Sequence, residues 1–229
     1  MAPVVRLVLF DIDGTLIRTG GAGVKAFERT FDTVFGLKQA TREVSFAGRT
    51  DTSLVRECLE KHGIPHTDET RGQFFDTYPF WLDHMLGRLP GALCPGVETF
   101  LERLGGVARR PLIGLLTGNI LLGAELKLRH YGLWDSFEVG GFGDDSEDRS
   151  QIARVAKKRA ERMLGAGLRG REIVVIGDTP SDIACGKAID AKTLAVGTGG
   201  FTAGALAEQT PTWALNDLTE IEPAEMLGA

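Results

Sequence analysis

The sequence predicts an α/β fold: a Rossmann-like parallel-sheet core with a small all-helical cap domain inserted after the first strand. Three observations lead there. Short, nearly continuous apolar runs recur at residues 4–10, 112–116, 173–176 and 193–196. Helix-patterned stretches separate the later runs. The long stretch between the first two runs, residues 20–90, carries helical rather than strand periodicity. Strands that alternate with helices indicate a parallel sheet covered on both faces.

The first run reads V-V-R-L-V-L-F, and its length and branched residues suit a strand buried on both faces. Val24, Phe27, Phe31, Val34 and Phe35 then fall at helical spacing on one face. Leu54, Val55, Cys58 and Leu59 form a second such set, and Phe74, Tyr78, Trp81 and Leu82 a third. These aromatics are assigned to the core of a helical bundle, not to a cofactor box. Pro90-Gly91 and Pro95-Gly96 are turn signals that mark the return to the sheet. Helical stretches at 97–104, 124–130 and 151–164 connect the remaining runs. The expected boundaries are 1–17 and 92–229 for the core and 18–91 for the cap.

The chain of 229 residues is long enough for one packed core and a smaller accessory domain. Apolar residues make up 43% and charged residues 25%, the proportions of an ordinary folded protein. A net charge of −5 argues against nucleic acid as a partner, since backbone phosphates call for a basic surface. Cys58, Cys94 and Cys185 are sparse and unpaired in pattern, which suggests reduced thiols and no zinc site. Residues 1–10 lack the features of a signal peptide, and no apolar run reaches membrane-span length. The expectation is a cytoplasmic protein with no membrane partner.

Chemistry concentrates at the ends of expected strands, the edge where open α/β sheets bind ligands. Asp11-Ile12-Asp13-Gly14-Thr15-Leu16 follows the first run. Two carboxylates so close repel each other unless a positive charge neutralises them, and a hard divalent cation is the natural partner. A helix cap would explain one aspartate but not D-x-D-G-T. Thr117-Gly118-Asn119 ends the second run, where a hydroxyl and backbone N–H groups suit a phosphoryl oxygen. By itself it reads first as a helix N-cap. Gly177-Asp178-Thr179-Pro180-Ser181-Asp182 clusters carboxylates again, and either acid would complete a cation site. Its alternative is a capped turn with Pro180 in the first turn of a helix. Arg149, the single cation of the acidic loop 143–150, would steady a nucleophile and phosphate, or else pair with Asp144, Asp145 or Asp148 at the surface.

Taken together, D-I-D-G-T-L, L-L-T-G-N and G-D-T-P-S-D resemble the first, second and fourth motifs of the haloacid dehalogenase-like hydrolase superfamily. The resemblance spans the whole chain, cap included, and F-A-G-R-T-D at 46–51 is similar to a cap segment of the phosphoglycolate phosphatase and β-phosphoglucomutase branch. It implies Asp11 as nucleophile and magnesium ligand. It implies Asp13 as general acid and base, with its carbonyl on the metal. Thr117, with Gly118 and Asn119, would bind the phosphoryl group, Asp178 would complete the Mg2+ site, and Asp182 would add a further or water-mediated contact. Arg49 is the nominated substrate contact in the cap. The family's third motif usually supplies a lysine. Arg149 is the choice here, with Lys127 and Lys157 as rivals. Lys127 follows the second motif closely and is expected on a helix away from the metal, and Lys157 about two helical turns beyond Arg149.

The implied function is a magnesium-dependent phosphatase that hydrolyses a small phosphorylated metabolite through an aspartyl-phosphate. A β-phosphoglucomutase-like phosphomutase shares every motif. A 2-haloacid dehalogenase would need neither the metal nor the acid at position 13. A receiver-like phospho-switch would carry its aspartate on a later strand and lack the helical insertion.

Overall fold

The computed structural model describes residues 5–228. Its elements, in chain order, are β1 (Leu7–Phe10), β2 (Ile17–Arg18), α1 (Ala22–Phe35), α2 (Asp51–Lys61), α3 (Asp68–Leu86), β3 (Ala92–Leu93), α4 (Val97–Gly106), β4 (Leu112–Leu116), α5 (Leu121–His130), β5 (Val139–Gly141), α6 (Arg149–Leu164), β6 (Ile173–Gly177), α7 (Pro180–Lys187), β7 (Lys192–Val196), α8 (Ala203–Ala207), β8 (Trp213–Leu215) and α9 (Pro223–Leu227). Val4, the first residue of the apolar run, lies outside the described residues.

Six strands form one parallel sheet in the order β5-β4-β1-β6-β7-β8. Side chains of β1 alternate between the faces. Val8 and Phe10 join a core with Val97, Phe100 and Leu104 of α4, while Leu7 and Leu9 pack with Ile152, Ala153 and Ala156 of α6. Burial on both sides is why the run shows no polar alternation. Each such side chain removed from water contributes roughly 1.5–3 kcal/mol before entropy is counted.

The short strands β2 and β3 pair antiparallel, Ile17 with Leu93 and Arg18 with Ala92, and α1 to α3 lie between them. The cap's core is aromatic. Phe31 and Phe74 lie tilted with ring centroids 4.7 Å apart, and Phe27 and Tyr78 meet edge-on at 4.8 Å, a contact that aromatic pairs favour. Phe35 and Trp81 sit at its margin, partly buried, and Trp81 Nε1 donates to Thr33 Oγ1 at 3.0 Å. A reciprocal cap between Thr67 and Thr70 starts α3.

The strands β5 and β8 were not expected. V-G-G at β5 and W-A-L at β8 are too short and too mixed to stand out, and they are strands because β4 and β7 offer unpaired edges beside them. No helix of the described residues is long and apolar enough to cross a membrane.

Candidate active site

The sheet register sets the site. Phe10 pairs with Leu115 on one side and Ile176 on the other, so the residues after β1, β4 and β6 emerge side by side. The chain leaves β1 for β4 and returns for β6 on the opposite side, which opens a crevice at the strand ends. Asp11 is the first residue past β1, its N–H donating to Ile176 O at 2.9 Å and its side chain buried. The turn that follows needs Gly14. Its φ is +85°, and a Cβ there would lie 2.5 Å from Asp178 Oδ2. Thr15 Oγ1 donates to Asp178 Oδ1 at 2.9 Å and tethers the third strand end to the first.

Asp11, Asp178 and Asp182 are all buried, and each presents an oxygen within 4.8 Å of the others. Burial raises the Asp11 carboxyl well above the usual range, Asp182 adds to it, and Arg149 opposes. Burial pushes Asp178 up to about 7, again with Asp182 adding, while the Thr15 hydrogen bond opposes. Arg149 opens α6 behind the N-cap of Asp148, and its Nη2 stands 3.3 Å from Asp11 Oδ1 and pairs with Asp182 Oδ1. Burial works against the guanidinium's charge, but Asp182 and Asp11 outweigh it and hold Arg149 protonated. Asp182 is heavily committed: its Oδ2 accepts from Thr179 N at 3.0 Å and Thr179 Oγ1 at 2.7 Å in the cap that starts α7.

The donor set suits a hard divalent cation. Three buried carboxylates, Asp11, Asp178 and Asp182, face one guanidinium, that of Arg149, and the excess when all three are ionised equals the charge of one such ion. Burial first, and mutual repulsion second, raise the Asp11 and Asp178 carboxyls, and a cation held between them would oppose both effects. The Asp13 side chain lies outside this cluster of three.

Asp13 meets the second strand end. Asn119 Nδ2 donates to Asp13 Oδ2 at 2.8 Å and to Thr117 Oγ1 at 2.8 Å, and Asn119 N reaches the same hydroxyl at 3.2 Å. With its oxygen accepting twice, Thr117 keeps its proton free to donate to a phosphoryl oxygen. Lys127, the first rival to Arg149, touches none of the three clustered acids; α5 carries it, buried, to Asp13 Oδ2 at 2.6 Å and Asn119 Oδ1 at 2.6 Å. Its signal was the distance from Asn119 along a helix that starts directly after T-G-N. Lys157 stays half-buried on α6, 4.0 Å from Glu161.

The cap is seated on this edge. A Cβ on Gly118 would lie 2.0 Å from Arg49 O, so only glycine lets the cap backbone approach. Asp51 N donates to Gly118 O at 2.8 Å, and Ile120 N donates to Asp51 Oδ2 at 2.9 Å. Arg49 borders the cavity with its guanidinium 2.9 Å from Glu57. The cavity, about 280 Å³, has Asp11, Asp13, Arg149 and Asp178 at its floor, with Phe27 and Tyr78 among its cap residues.

Asp51 yields a pH prediction. Burial pushes its carboxyl up to about 7, with Lys127 opposing and Asp13 and Asp144 adding. The folded chain then holds a proton that the unfolded chain has released, from about pH 4 up to about pH 7. This group's contribution to stability therefore falls as pH rises through that window and levels off above it. Asp51→Asn keeps an acceptor for Ile120, and melting curves from pH 5 to 8 should fall less steeply than the wild type's. Identical slopes would show that Asp51 does not titrate there.

A family model described as haloacid dehalogenase-like hydrolase matches residues 5–190. A Clostridium perfringens protein named, provisionally, pyrophosphatase PpaX is 27% identical over 233 residues, 95% of each chain. Pyrophosphatase PpaX of Halalkalibacterium halodurans is 27% identical over 206 residues, 84% of each chain. Among solved structures, a HAD hydrolase of family IA, variant 3, from Entamoeba histolytica superposes with a TM-score of 0.72 at 20% identity, over 98% of each chain.

Proposed function

Since the chain belongs to the haloacid dehalogenase-like hydrolases, we propose that it is a magnesium-dependent phosphatase that cleaves small phosphate monoesters through an aspartyl-phosphate on Asp11. The observation that supports this most is the placement of Asp11. Its carboxylate shares a buried cluster with Asp178, Asp182 and Arg149, and it borders a cavity that reaches the cap.

In this reading, Asp11 and Asp178, with the Asp13 carbonyl, would hold the ion, which would supply charge stabilisation and alignment for the phosphoryl group. Asp182 keeps Arg149 in place beside Asp11, and Arg149 and the Thr117 hydroxyl hold phosphoryl oxygens. An Asp11 oxygen attacks phosphorus in line, and the bond from phosphorus to the leaving oxygen breaks. Asp13, entering the cycle protonated, gives that oxygen its proton. It then takes a proton from the water that attacks the phosphoenzyme, so inorganic phosphate departs and the Asp11 carboxylate is restored. Splitting one displacement into two is nucleophilic catalysis. Gly118 and Asn119 shape the phosphoryl cradle, and Arg49 contacts the substrate from the cap.

Val24, Phe27, Phe46, Leu54 and Tyr78 border the cavity from the cap, a surface suited to the organic part of an ester. The relatives' names favour pyrophosphate as a second substrate. The test is phosphate release from sugar phosphates, phosphoglycolate, nucleotides, cofactor phosphates and pyrophosphate, each with magnesium and with EDTA. Turnover is expected with magnesium, loss by at least about 10²-fold in EDTA, and recovery when the ion returns. Activity unchanged by exhaustive chelation would end the metal assignment. No phosphate from any substrate would end the phosphatase reading, and isomerised sugar phosphate in its place would indicate a mutase.

A further inference from the structure

Lys127 is buried, yet no step above uses it. A buried ammonium has three protons to place and a charge to compensate. Its two partners are Asp13 Oδ2 and Asn119 Oδ1, each at 2.6 Å. Because an ammonium only donates, the Asn119 atom beside it must be the carbonyl oxygen. The amide nitrogen is thereby turned toward Asp13 Oδ2 and Thr117 Oγ1, 2.8 Å from each. The three side chains close a ring that engages two of the ammonium's three protons and both protons of the Asn119 amide.

Within that ring both donors to Asp13 reach the same oxygen. Oδ2 takes Lys127 and Asn119, while Oδ1 has no protein donor among the described residues. The Asp13 side chain is 43% exposed and borders the cavity, whereas that of Lys127 is 5% exposed. An ion pair that served only to tie α5 to the loop after β1 would have no need to leave its acid open to the cavity. Pinning one oxygen from the protein side fixes rotation about the carboxylate and presents the other to a ligand. Lys127 sits where the cap meets the core, as a Cβ on Gly23 of α1 would lie 3.6 Å from its Nζ.

We propose that Lys127 is a positioning residue for the leaving-group step. It holds Asp13 Oδ2 and orients Asn119, so that Asp13 Oδ1 stands at the oxygen that departs from phosphorus. The inference rests on the phosphatase reading of the same site. Lys127 would act through Asp13 and not on phosphorus directly, which separates it from Arg149 beside Asp11.

The test compares wild type, Lys127→Met, Asp13→Asn and the double variant, on an alkyl phosphate and on p-nitrophenyl phosphate, with melting curves for each protein. Lys127→Met should lower kcat on the alkyl phosphate by about 10- to 10²-fold, the scale of a misplaced catalytic group, with KM within about twofold of wild type. On p-nitrophenyl phosphate, whose leaving group needs little help, the loss should shrink. The double variant should be no slower than Asp13→Asn, because two residues that act through one group do not add. Lys127→Gln reads the same if the methionine variant does not fold. Wild-type kcat in a folded Lys127 variant would overturn the proposal, as would losses that multiply in the double variant. An Asp11→Asn protein that turned over normally would overturn the phosphatase reading instead, so the two failures are distinguishable.

Discussion

Asp11→Asn is expected to release no phosphate from any substrate while keeping its fold. The amide matches the carboxylate in shape but lacks the charged oxygen that the proposed mechanism directs at phosphorus. Acid-quenched wild-type enzyme should yield a hydroxylamine-sensitive phosphoenzyme, and the variant none. Stability should move the other way. Burial and Asp182 hold the Asp11 carboxyl well above its usual range, so its charge near neutral pH costs the metal-free fold something. In EDTA the variant should melt at or above the wild-type temperature. A folded variant that still cleaved ester at the wild-type rate would remove Asp11 as the nucleophile.

Arg149→Ala is the second large effect, and it should strike activity and stability together. The guanidinium stands between Asp11 and Asp182, all three side chains buried. Removing one partner of a buried ion pair typically costs roughly 3–5 kcal/mol, because the other charge is left without compensation. Turnover should fall by at least about 10²–10³-fold, the scale of losing one fixed donor to a developing charge. Arg149→Lys should recover part of the rate, since a point charge cannot bridge two oxygens as the planar fork does. Lys157→Ala should be close to wild type, because that lysine only borders Glu161 on a half-buried stretch of α6. The rates of Arg149→Ala, Lys127→Ala and Lys157→Ala should rise in that order. An Arg149→Ala enzyme, folded in urea titrations, that kept more than a tenth of its rate would remove the guanidinium from the chemistry.

Local pattern alone determined a good deal about this protein. The apolar runs at β1, β4, β6 and β7 are legible because a strand buried on both faces must be apolar throughout. The acids at 11, 13, 178 and 182 and the T-G-N segment are legible because they follow those runs directly, and a parallel sheet gathers such ends at one edge. The cap's helices are legible through spacing, as Phe27, Phe31, Phe74 and Tyr78 show.

The tertiary structure decided the rest. V-G-G and W-A-L became β5 and β8 through the open edges of their neighbours, a pairing energy no local window contains. Asp182 carries both signals a sequence can give, cap and ligand, and only packing shows that Thr179 and Arg149 already engage its oxygens. Asp51 reads as an ordinary first-turn acid of α2, and its burial against Ile120 arises from the docking of cap on core. Lys127 lies more than a hundred positions from Asp13, and a long flexible side chain says nothing of its destination until α5 is packed. Periodicity reports which face of an element is buried; the partner a charged side chain finds depends on how whole elements are set against one another.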